Sequence, residues 1–297
     1  MRGPPKAWAS RDIMKLAETM IGVVDVETTH LEPDVGRVVE CAVVEVVPGE
    51  SVERSNAPGN GDGWESLFDP GIPIPPEASA VHHITDADVQ GKPKFETVEP
   101  FKFWGGANAA HFAEFDASFV PQLSDKPIIC TYRLARHLWP TLDHYGNQYL
   151  RYLHGLDIPD AIKSRSMHRA YPDAFVTACL LKLQLQVVSE IKPEIETVEQ
   201  LIEWISGPIL LYRIGFGKYG PRGTENPGPK GRLWSDVPTE YLRWLAGEWD
   251  KTLSKGGTID ADPDTVHTVY HYLEAGDRRK AALASPAPIT QQTGKLF

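Results

Sequence analysis

Cysteine is scarce in this chain: Cys41, Cys130 and Cys179 are the only three in 297 residues, and no two form a C-x-x-C pair. So few thiols, so far apart and odd in number, argue against both a disulfide framework and a cysteine-ligated zinc site, and they read as buried thiols. Basic residues are also too few for a protein that coats nucleic acid, since 30 Lys and Arg stand against 40 Asp and Glu, a formal charge of −10. A broad cationic surface is therefore excluded. Carboxylates gathered around metal ions escape that objection, because the ions and not the protein would then face a phosphate. No continuous apolar run approaches the roughly 18 residues of a membrane span, so a soluble protein with no membrane partner is expected. The first residues, MRGPPKAWASRD, lack the apolar core and small-residue cleavage site of a secretory signal. The cytoplasm is the expected compartment.

The length suits one catalytic domain with a smaller appendage. Residues 20–27, MIGVVDVE, predict a buried strand and residues 37–47, RVVECAVVEVV, a longer partner. The Gly/Pro/Asn-rich turn from Pro58 to Gly63 leads to WESLF, a third strand that completes a meander. Beyond it, short buried strands at residues 107–111 and 127–131 alternate with helical stretches at 115–123 and 134–139. The alternation predicts an α/β fold, a sheet with helices packed on it. From Pro172, placed at the first helical position, PDAFVTACLLKLQLQVV is apolar almost all round, as in a helix buried against a sheet. Thr197 and Gln200 have capping-box spacing and open another helix, which Gly207-Pro208 stops. The expected divisions are an extension over 1–17, a catalytic domain over 18–190, a linker helix over 191–210, a small C-terminal α+β module over 211–276 and a mobile tail over 277–297.

Asp25 and Glu27 lie two apart on the first strand, so the pleat projects both carboxylates from one face. Like charges so placed persist most easily beside a divalent cation, although an Asp-x-Glu at a strand end also serves as a solvated structural pair. Asp116 falls at a strand-to-helix junction, where it either lines a cleft or simply favours the helix dipole. His168 and Asp173 sit five apart across Pro172. The imidazole suits general-base work or an ordinary surface position.

Taken together, VVDVETT around Asp25 and Glu27, HFAEFD ending at Asp116, and HRAYPD from His168 to Asp173 resemble, in order and interval, the three motifs of the DEDDh exonuclease family. Residues 81–85, VHHIT, resemble a stretch between its first and second motifs, and CTYRLARHLW, FGKYG and WSDVP are similar to the exonuclease X branch. Two departures stand out. Phe112 occupies a position where members often carry Asn, and an insertion from Pro221 to Gly231 interrupts the C-terminal similarity.

The resemblance implies an RNase H-like mixed sheet flanked by helices and removal of nucleoside 5′-monophosphates from nucleic acid 3′ ends, DNA favoured over RNA. It implies Asp25, Glu27, Asp116 and Asp173 as ligands of two Mg²⁺ or Mn²⁺ ions, with His168 as the base. The hard oxygen donors agree with those ions. Substrate contacts are expected from Thr28, Leu31, His82, His83, His111, Phe112, Arg165 and Arg169, with Leu31 as a wedge. Five basic residues against one acid between Arg213 and Arg232 offer further phosphate contacts. The end of the chain, QQTGKLF, resembles peptides that dock on a sliding clamp. DNA repair or end trimming is the expected role; the alternatives are an RNA-trimming exonuclease and a non-catalytic module on an exonuclease fold.

Overall fold

In the computed structural model the run IGVVDVET forms β1 (Ile21–Thr28), which pairs antiparallel with β2 (Val38–Val46). Strand β2 pairs antiparallel with β3 (Gly63–Leu67), as the predicted meander requires. Two short helices follow, α1 (Pro76–His82) and α2 (Asp86–Val89). The chain then enters β4 (Ala107–Ala110), parallel to β1, passes through α3 (Ala113–Phe119), and adds β5 (Ile128–Cys130) parallel to β4. The sheet order is β3-β2-β1-β4-β5. Helices α4 (Thr131–Leu138), α5 (Asn147–Leu153), α6 (Asp160–Lys163), α7 (Ala170–Ile191) and α8 (Val198–Ser206) complete this part of the chain. The structure describes residues 14–48, 63–97, 105–166, 168–214, 232–259 and 261–284. They divide into two units, Met1–Trp139 with His144–Gly207 and Pro140–Asp143 with Pro208–Phe297.

Period-two alternation on β1 sorts its side chains between two cores. Val24 and Val26 pack with Cys41, Val43, Phe68, Phe119 and Leu123 on one face. Ile21 and Val23 pack on the other with Ala42, Val44 and the Ala174, Phe175, Ala178 and Leu181 side of α7. Asp25 and Glu27 continue that second row, so the helix that closes the core also overhangs the carboxylates. By length and composition α7 alone among the described helices could cross a bilayer. Its packing on β1 and β2 accounts for that character, since each fully buried Phe or Leu side chain contributes about 1.5–3 kcal/mol.

Three local expectations differ from what is observed. Helix α7 starts at Ala170 with Arg169 as its cap residue, which moves Pro172 from the first to the third helical position. Proline is tolerated there because the N–H groups of the first turn have no intrahelical partner anyway. Helix α8, expected as a linker, buries Val198, Leu201 and Ile205 in the core of the first unit, and its Thr197 and Gln200 form the predicted capping box. In the second unit Trp234 begins a single 3₁₀ turn (Trp234–Asp236), and α9 (Thr239–Ser254) and α10 (Pro263–Ala284) pack around Trp234, Leu242, Trp249 and Val269. Helix α10 runs past Asp277, the expected start of a tail, where the Asp277 carboxylate accepts from Arg243. Most of the turn from Pro58, the FGKYG stretch, the insertion from Pro221 and the terminal QQTGKLF lie outside the described residues.

Candidate active site

Strand β4 pairs with β1 only over Ile21–Val23, so the acidic end of β1 runs on beyond its parallel neighbour toward α3. Asp25 and Glu27 meet Asp173, from the first turn of α7, with one carboxylate oxygen of each within 4.8 Å of the others. Asp116 comes from α3 and is 3% exposed, and its charge adds to the repulsion felt by Asp25 and Glu27 on the acidic strand. His168 lies just before α7, largely exposed, with Nδ1 3.9 Å from Asp173 Oδ2. Elements far apart in sequence thus bring all five motif residues to one place.

The electrostatics of the cluster suit a cation. Burial, and then Glu27, Asp116 and Asp173 in turn, push the Asp25 carboxyl well above the usual carboxylate range. Glu27 is pushed up to about 8 by burial and by Asp173 and Glu40, with Arg169 opposing. Burial alone raises Asp116 to about 8 against its backbone hydrogen bonds. Asp173 is raised less, because Gln148 and His168 favour its charged form. Four desolvated carboxylates fit hard divalent ions, which would neutralise the repulsion.

Supporting contacts absent from the sequence-based reading orient the ligands. Gln148 Nε2 donates to Asp173 Oδ1 at 2.9 Å, and Asn147 Nδ2 donates to the Asp173 carbonyl at 3.1 Å. Arg151 in turn donates to Gln148 Oε1 at 3.0 Å. Nothing local in NQYLR signals this role. Glu40 was legible in principle, as a lone acid in the apolar VVECAVV, and it stands opposite Glu27 in the β1–β2 register.

The expected substrate contacts fall into two groups. Leu31 is 79% exposed at the tip of the loop after β1, and Phe112, in a left-handed conformation at φ 73°, is 53% exposed with its ring edge-on to Tyr132. His83 is exposed as well, at the left-handed end of α1. The others are engaged elsewhere. Thr28 is buried and its hydroxyl donates to the His30 carbonyl, ordering the Leu31 loop. Gly36 closes that loop, where any Cβ would come within 2.8 Å of the His30 carbonyl oxygen. His82 is 2% exposed and its Nδ1 accepts from the Ile84 N–H, so burial removes it from direct contact. Burial lowers His111 to about 4. Its Nε2 lies 2.8 Å from the Tyr145 carbonyl and its Nδ1 2.9 Å from the Thr131 hydroxyl, so the neutral ring donates through Nε2 and accepts at Nδ1. Arg165 pairs with Glu65, and Arg169 with Glu40.

The Exonuclease family matches residues 23–181. The chain belongs to the DEDDh-type 3′ to 5′ exonuclease family. It is 32% identical to Exodeoxyribonuclease 10 of Escherichia coli K12 over 260 residues, 86% of this chain and 99% of the relative. It is 29% identical to the DNA polymerase III epsilon subunit of Aquifex aeolicus over 189 residues, 60% of this chain and 85% of that one. A solved structure of Exonuclease X in complex with 5′-overhanging duplex DNA is 33% identical and superposes with a TM-score of 0.51, over 63% of this chain and 99% of that chain. The exonuclease accordingly has the RNase H-like fold that its motifs imply, and its mixed sheet agrees.

Proposed function

We propose that this exonuclease acts on DNA 3′ ends in repair or end trimming, releasing nucleoside 5′-monophosphates, with two Mg²⁺ or Mn²⁺ ions held by Asp25, Glu27, Asp116 and Asp173. Such ions supply the Lewis acidity and positive charge that a phosphodiester requires. His168 takes the proton of the attacking water at Nε2, the ring nitrogen turned away from Asp173. Gln148 keeps one Asp173 oxygen in place and leaves the other toward the cluster. Leu31 wedges beside the terminal base, and Phe112 offers a ring face to a neighbouring one. The observation that carries this reading is the meeting of the Asp25, Glu27 and Asp173 oxygens within 4.8 Å beside an exposed imidazole.

End-labelled single-stranded DNA, duplex DNA and RNA, each incubated with Mg²⁺ or with EDTA, test the proposal. Mononucleotides should appear from DNA 3′ ends with Mg²⁺ only, and Asp25→Asn should abolish them. Faster trimming of RNA would transfer the reading to RNA, and undiminished activity in EDTA would end it.

A further inference from the structure

Glu40 is a fifth acid at the edge of the carboxylate cluster, and its hydrogen bonds turn it away from metal binding. The side chain is 2% exposed on β2, across from Glu27 and on the face that α7 covers. Its two oxygens accept from Arg169 Nε at 3.1 and 2.9 Å, from Arg169 Nη2, and from the Ala170 N–H at 2.8 Å. A bidentate guanidinium–carboxylate pair with an added backbone donor fixes both partners in distance and in plane. What it fixes is the first turn of α7, since Arg169 is the cap residue and Ala170 the first helical residue.

His168 immediately precedes this clasp with φ at 54°, in the left-handed region. A residue with a Cβ stays there only when its surroundings hold it. On one side the His168 ring nitrogen Nδ1 lies 3.9 Å from Asp173 Oδ2, and on the other Glu40 anchors Arg169 and Ala170. We propose that Glu40 and Arg169 are positioning residues for hydrolysis: their ion pair holds the His168 turn so that the imidazole stands over the metal-binding carboxylates. Arg169 therefore serves the base and not a substrate phosphate. The inference rests on His168 being the general base.

The test is a double-mutant cycle in the full chain with saturating Mn²⁺ and a 3′-labelled oligonucleotide, reading kcat, KM and Mn²⁺ affinity separately. Glu40→Gln should lower kcat by roughly 10- to 100-fold and leave KM and Mn²⁺ affinity within about twofold. His168→Ala should lower kcat by roughly 10²- to 10⁴-fold, and the double variant should be no slower than His168→Ala alone. A double variant slower by the full Glu40→Gln factor, or a matching loss of Mn²⁺ affinity, would overturn the positioning role. A His168→Ala enzyme of normal rate would instead overturn the assignment of the base, so the two failures are distinguishable. Should Glu40→Gln not fold, as thermal unfolding would show, Arg169→Gln on the more exposed partner runs the same cycle with the same criteria.

Discussion

Burial raises the Glu27 and Asp116 carboxyls to about 8 in the metal-free site, against ordinary values of 4.5 and 3.8, and so favours their protonated forms. A metal ion must displace those protons, so binding releases them, and the sign follows from which state carries more. Below about pH 8 the metal-free site is the more protonated, and raising the pH therefore favours the metal-bound form. Titrating Mn²⁺ calorimetrically at several pH values should show apparent affinity rising as pH climbs toward about 8, with an observed heat that varies with the buffer's ionisation enthalpy because released protons are taken up by the buffer. The same raised values mean that the metal-free fold loses stability as pH climbs through that window. Flat affinity without proton release would show that these carboxylates are already ionised. The five motif residues were legible because Asp, Glu and His carry their chemistry in their identity and spacing. Their partners were not, because Glu40 reaches Arg169 and Gln148 reaches Asp173 across long stretches of chain, where only the folded register brings them together.

Among the elements, β1 and β2 follow their β-branched pattern to within a residue or so, β3 falls where the turn before WESLF placed it, and the capping box of α8 appears as read. The start of α7 was misplaced because a proline marks the first turn of a helix without marking which residue of that turn it is. Helix α10 was missed beyond Asp277 because its Ala-rich end lacks the apolar stripe that marks a packed helix. Helix α5 reaches the Asp173 carboxylate through Gln148, whose side-chain amide donates to Asp173 Oδ1. Gln148→Ala should weaken Mn²⁺ binding or lower the hydrolysis rate by roughly 10-fold, with the melting temperature little changed. Metal titration, rate and thermal unfolding on one preparation check this, and unaltered binding and rate would reduce α5 to packing.

For the whole molecule, the net charge of −10 leaves little general attraction to DNA, and several arginines are already paired, Arg165 with Glu65, Arg213 with Asp143 and Arg243 with Asp277. The proposed function leaves binding of longer DNA to the metal site and to the sequence stretch that carries Lys218, Arg222 and Lys230. Replacing these three by Ala should weaken binding and flatten its salt dependence by about 0.9 in slope for each residue that meets a duplex phosphate. An unchanged slope would make the stretch a solvated surface. The central claim, that one metal centre is built from β1, α3 and α7, is tested most directly by anomalous diffraction from crystals soaked in Mn²⁺. Manganese peaks ligated by Asp25, Glu27, Asp116 and Asp173 are the predicted result, whereas manganese bound elsewhere with these four carboxylates vacant would contradict the account.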